Sequence, residues 1–240
     1  MNRVPQSAKW LALLLSVLGI AVCLFFMGRQ GEESGSPVRY GLRVGMVVFG
    51  LTAWYLSQSL ISSRGMKSGA IADALHELSA PWHGYLQAHP RCANAVLIIS
   101  SAFIDLLGVF LIAASVFGPS MRPFAALIIL FVMRQVCQAV CALPTPPGMI
   151  WRYPGIPSLL VTYDVANDFF FSGHTSIAVL GAIEAARIFP WWLSAAVAVI
   201  ALFEAGVVLI LRAHYSMDIF AAILAAFCAA GLANWLCVAL

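Results

Sequence analysis

The sequence predicts an all-α fold: a multi-pass bundle of transmembrane helices, with six core helices and an extra helix at the N-terminus. Three observations carry this. Of the 240 residues, 62% are hydrophobic and 10% are charged, whereas a soluble domain carries about 25% charged residues. Mean hydropathy is +0.93, which excludes a soluble globular chain. The apolar residues also fall in blocks near the roughly 20 residues that span a ~30 Å hydrocarbon core.

Seven blocks follow one another: Trp10–Met27, Tyr40–Ile61, Ala93–Phe117, Met121–Leu143, Thr175–Phe189, Trp191–Leu211 and Tyr215–Leu240. The first follows Asn2, Arg3 and Lys9, flanks that suit a signal peptide as well as a spanning helix. No small-x-small cleavage site follows it, which favours a retained helix. Residues 1–39 are therefore expected to form an N-terminal transmembrane segment or signal anchor with its Gly/Ser/Glu-rich loop, Gly28–Arg39, and residues 40–240 the main membrane domain.

Two further polar stretches interrupt the blocks. Ser62–Cys92 contains His76, His83 and His89, and its Ala70–Leu78 portion is amphipathic enough for an interfacial helix. These histidines are irregularly spaced and lack matching carboxylates, so they read as solvated or interfacial side chains, with no metal site. Pro144–Gly173 opens with Pro144, Pro146 and Pro147, which remove amide donors and end the preceding helix. In the last block a run of small residues, Ala221 to Ala233, suits close helix approach in a membrane.

The charge balance is +3, from 13 basic and 10 acidic side chains. This is too weak and scattered for a nucleic-acid footprint, so no polynucleotide partner is expected. None of the six cysteines is in CxxC spacing, and Cys137 with Cys141 falls short of a zinc ligand set. No metal or other cofactor is expected. The tryptophans cluster near block ends, as an aromatic belt does.

The chemistry concentrates at two helix starts. If the fifth block begins at His174 and the sixth crosses back, the seventh begins on the same membrane face, beside His214. Each histidine then sits where unpaired amides and the helix dipole attract anions. His214 and Asp218 are four apart, which stacks them on one helical face. Asp218 is expected to accept the proton of one imidazole nitrogen, leaving the other as a nucleophile. Arg212 supplies a permanent charge for phosphate oxygens. Arg134 lies inside a span, where a charge is a functional candidate by default; the competing role is pairing with Asp105 or Glu204 in the bundle. Glu184 and Glu204 read as bundle-facing.

The segment Asp168-Phe-Phe-Phe-Ser172-Gly173-His174-Thr175, with Arg212-x-His214-Tyr215-Ser216-Met217-Asp218-Ile219 downstream, resembles the type 2 phosphatidic acid phosphatase superfamily, in particular its sphingomyelin synthase-like branch. That branch shows D-x-x-F-S-G-H-T and H-Y-T-x-D-V/I, and an arginine ahead of a Leu-Pro-x-Pro stretch, matched by Arg134 and Leu143-Pro144-Thr145-Pro146. The likeness runs from Met121 to Leu240. The chain lacks the K-x6-R-P motif of the phosphatases, carries Ala166-Asn167 where the synthases have Cys-Gly, and has no Pro-Leu-Pro-Asp in Ser62–Cys92.

The resemblance implies a metal-free phosphotransfer from a phospholipid donor to a lipid alcohol such as ceramide. His214 would attack phosphorus, and His174 would protonate the leaving diacylglycerol and then deprotonate the acceptor. Ser172, Gly173, Thr175, Asp168, Arg134, Arg212 and Tyr215 would bind substrate or phosphate. The alternative enzyme is a lipid phosphatase or phospholipase C-type hydrolase using the same His/His/Asp set; outside enzymes, a small transporter or an inactive scaffold. Outside Arg134, seven basic residues fall on the active-site side and five on the other, a slight cytoplasmic bias. The family resemblance implies an exoplasmic or lumenal site instead.

Overall fold

A computed structural model describes residues 37–62, 69, 71–163 and 169–239. The expected segment Trp10–Met27, its following loop up to residue 36 and Asp168 lie outside the described residues. The chain is all-α: α1 (Pro37–Ser62), α2 (Ala74–Leu78), α3 (Ala80–Ala88), α4 (Pro90–Phe117), α5 (Arg122–Val140), α6 (Gly173–Ile188), α7 (Trp191–Ile210) and α8 (Ser216–Ala239), with no strand among the described residues. Four helices, α4, α5, α7 and the Ser216–Cys237 part of α8, are long and apolar enough to cross a membrane. With α1 and α6 they make the six-helix core of an integral membrane protein.

Local chemistry sets the boundaries. Helices α3, α4 and α5 carry proline in their first turn, where the missing N–H is no loss. Ser172 caps α6 by accepting the amide of Thr175 at 3.2 Å. Helix α5 stops at Val140, a few residues ahead of the proline run.

Helix α6 is central and packs against α4, α5, α7 and α8. Leu107 and Leu111 of α4, Phe124, Leu127 and Leu130 of α5, and Leu180 of α6 fill the middle of the bundle. Ala222, Ala226, Ala229 and Ala233 of α8 are fully buried, so the small-residue stripe does bring helices together. Several polar contacts hold the charged side chains within the bundle. Arg122 forms a bidentate pair with Glu184, and Arg43 donates to the carbonyl of Gly118 at 2.8 Å, where α4 ends. Asp105 accepts the amides of Leu159 and Leu160 at 2.9 Å and holds that loop on α4. Glu204 accepts the Ser100 hydroxyl at 2.6 Å.

Candidate active site

The turn that follows α7 and the start of α6 converge on one cleft. His174, Gly173, His214 and Arg134 line it together with Trp54, Phe131, Trp151 and Phe169. The two imidazoles share one cavity, on one end of the bundle.

His214 is fixed at Nδ1, which lies 2.7 Å from the carbonyl oxygen of Phe169. A carbonyl only accepts, so in the neutral ring Nδ1 carries the proton and Nε2 the lone pair. Asp218 Oδ2 stands 3.6 Å from Nδ1, beyond hydrogen-bond reach. The expected orienting bond from Asp218 is therefore replaced by a main-chain acceptor. Asp218 is wholly buried; its Oδ2 accepts the Tyr215 amide at 2.9 Å, and its Oδ1 has no partner among the described residues. Capping its own helix draws the carboxylate off the ring, while its charge stays within ion-pair distance.

His174 sits in the first turn of α6 with the edge of its ring system against Trp151, centroids 5.1 Å apart at 88°. Its Nε2 is buried and has no hydrogen-bond partner among the described residues. Beside it, Arg134 donates from Nε to the Phe171 carbonyl at 2.9 Å and from Nη1 to Gln58 at 3.4 Å. Asp105 and Glu204, the alternative partners for Arg134, bond elsewhere. A Cβ at Gly173 would stand 3.4 Å from Arg134 Nε and 3.5 Å from Cζ. The guanidinium thus lies beside the α6 N-terminus, adding a full charge where the dipole already favours an anion.

The remaining predicted residues lie around this centre. Ser172 and Thr175 are buried beneath it and bond each other, hydroxyl to hydroxyl at 3.0 Å. Arg212 does not line the cleft. It has φ +54° and donates to the carbonyls of Pro147 at 3.0 Å and His76 at 3.5 Å. Tyr215 is buried and stacks on His76, centroids 5.6 Å apart. Among the described residues no group of three or more His, Cys, Asp or Glu is arranged to hold a metal ion.

Of the three histidines in the Ser62–Cys92 stretch, His89 is exposed as expected, but His76 and His83 are not the solvated side chains that the sequence suggests. His76 and His83 are buried. His76 Nε2 bonds the His214 carbonyl at 2.9 Å, and His83 Nδ1 bonds the Ile210 carbonyl at 2.8 Å. They reach the turn that carries His214 because the stretch folds into α2 and α3 against it. Burial holds His83 below the ordinary histidine range, against the bond to Ile210 and helped by the charge of Arg212. Asp73 caps α2 and also accepts the Ser216 amide at 2.6 Å. Burial raises its carboxyl, yet the Ser216 amide, the neighbouring His76 and the α2 amides together hold it below the usual range. Trp54 and Trp151, read as belt residues, are cleft walls.

Among known proteins, the family model described as AtPDCT1/2, the phosphatidylcholine:diacylglycerol cholinephosphotransferase family, matches residues 72–235, about two thirds of the chain. No curated protein and no solved structure matches. This corrects the expected sphingomyelin synthase-like assignment. The SGHT and HYSMD motifs lie within the matched residues, so they do not separate the two families. The chain departs from the synthase pattern in Ala166-Asn167 and in Ser62–Cys92, and much of that second stretch is inside the match. The chain belongs to the AtPDCT1/2 family, membrane transferases of lipid metabolism.

Proposed function

We propose that the protein moves phosphocholine from phosphatidylcholine to diacylglycerol through a covalent phosphohistidine on His214. The observation that carries this reading is the shared cleft, where a tautomerically fixed His214, an unpartnered His174 nitrogen and the Arg134 guanidinium meet at a helix N-terminus.

In the first step Nε2 of His214 attacks phosphorus and the bond from phosphorus to the glycerol oxygen breaks. His174, which takes up a proton with the anionic phosphate bound beside it, gives that proton to the oxygen, and diacylglycerol leaves. In the second step a new diacylglycerol hydroxyl loses its proton to His174 and attacks phosphorus, and His214 is released. One phosphodiester replaces another, so the exchange needs no energy source. Arg134 and the first amides of α6 hold the non-bridging oxygens, which is where charge must be stabilised. Asp218, at 3.6 Å, favours the positive charge that the phosphorylated ring carries.

The walls favour choline over ethanolamine. Among the described residues, the side chains of Trp54, Phe131, Trp151 and Phe169 line the cleft and no carboxylate does. A trimethylammonium is held by ring faces without hydrogen bonds, while a primary ammonium would leave three donors to be satisfied.

The test uses purified protein in phosphatidylcholine vesicles with labelled diacylglycerol. Label is expected in phosphatidylcholine. Release of free phosphocholine would replace this reading with a hydrolase, and exclusive transfer to added ceramide would replace the acceptor.

A further inference from the structure

Between α7 and α8 the backbone leaves one helix and enters another, so its carbonyls and amides need outside partners. Those on either side of His214 find them in one short segment. Oδ1 of Asp73 accepts the amides of Leu75 at 3.0 Å and His76 at 3.4 Å, while Oδ2 accepts the Ser216 amide at 2.6 Å. One carboxylate thus caps two helices, α2 and α8. His76 Nε2 donates to the carbonyl of His214 itself at 2.9 Å, and its ring packs on Tyr215. His83 donates to the Ile210 carbonyl at 2.8 Å. Arg212 returns a bond from the turn to the His76 carbonyl.

We infer that Asp73 and His76 are positioning residues for the nucleophile: by fixing the Ser216 amide and the His214 carbonyl, they set where His214 Nε2 meets phosphorus. The inference rests on the reading of His214 given above. Neither side chain lines the cleft, so both act through the backbone on either side of the reacting ring. A displacement of about 1 Å at a reacting atom costs on the order of 100-fold in rate, so the bonds are expected to govern turnover with little effect on substrate binding.

The full-length protein is assayed as His76→Leu, His76→Gln and Asp73→Ala. Glutamine can place a donor nitrogen where Nε2 stands; leucine cannot. His76→Leu and Asp73→Ala are expected to lower kcat by roughly 30- to 100-fold with KM for phosphatidylcholine within about twofold. His76→Gln is expected to recover most of the lost rate. Melting temperatures are measured alongside. A His76→Leu variant at wild-type kcat, a His76→Gln variant as slow as His76→Leu, or a loss that vanishes on assay well below the melting transition overturns the inference. The underlying reading fails separately: full activity in His214→Ala removes the nucleophile, and phosphocholine release by the wild type removes the acceptor. In that last case the Leu/Gln contrast, read on phosphocholine, still decides the positioning role.

Discussion

The amide of Ser172 donates to the carbonyl of Asp218 across 3.2 Å. This backbone bond ties the start of α6 to the first turn of α8, so the two motifs that carry the histidines are parts of one unit. Movement of either helix start moves both imidazoles relative to the phosphate they would share.

The division of labour between the two rings gives the first expectation. His214→Ala should abolish exchange, because the proposed covalent intermediate forms on its Nε2. His174→Ala should lower the rate by about 10²- to 10⁴-fold, the worth of general acid–base help. Labelled diacylglycerol incorporation measures both, and normal membrane insertion of each variant separates chemistry from folding.

Asp218 is expected to be less critical than His214. Asn at this position keeps an acceptor for the Tyr215 amide, and the Phe169 carbonyl still sets the tautomer, so only the charge is lost. Exchange should fall by about 10- to 100-fold, the reach of one close charge. Asp218→Ala also orphans a buried amide and should cost a further 1–3 kcal/mol or so of stability. Equal loss in Asp218→Asn and His214→Ala would return the orienting role to the carboxylate.

Gly173→Ala should be tolerated. The added methyl group stands 3.4–3.5 Å from the Arg134 guanidinium, ordinary van der Waals contact, so the cation keeps its place at the α6 N-terminus. Exchange and melting temperature are expected to stay near wild type; a tenfold loss of exchange would show that bound phosphate needs the backbone closer than a methyl group allows.

Trp151→Ala should erode headgroup choice. A cation–π contact contributes about 0.5–2 kcal/mol, so initial rates with phosphatidylcholine should fall by roughly 2- to 30-fold. Rates with phosphatidylethanolamine should change little. Parallel losses with both donors would assign Trp151 to holding His174 alone.

Acid should loosen the α2–α3 segment. Asp73 and His83 are both held below their ordinary values, so the unfolded chain binds protons more readily than the folded one. Their stabilisation is present above the unfolded values, about 3.9 and 6.5, and is lost as pH falls through the folded ones. The His83 share goes first. Amide exchange over residues 71–88 should quicken between pH 7 and pH 5, and His83→Asn, which keeps a donor near the Ile210 carbonyl, should flatten that change.

Much of this site was legible in the sequence because its parts are short-range. The i to i+4 step from His214 to Asp218, and helix starts at His174 and beside His214, follow from period and connectivity alone. The bond that orients His214 was not legible, since the Phe169 carbonyl arrives from a loop whose path depends on the whole fold. His76 and His83 looked irregular because the helix breaks at Ser79; their spacing of seven, two helical turns, was the usable cue. Arg134 was recognised as a misplaced charge, but its partners depend on which way α5 faces. Arg212 was expected at the phosphate and instead braces the turn, because a left-handed backbone redirects its side chain.

The acceptor on which His214 depends is main chain, and a carbonyl has no side chain to substitute. Alanine scanning across this loop would leave it untouched and would record Phe169 only as an aromatic wall. An ester in place of the peptide link at Phe170, which weakens that oxygen as an acceptor, is the change that would unfasten the ring, and it lies beyond the reach of ordinary codon exchange.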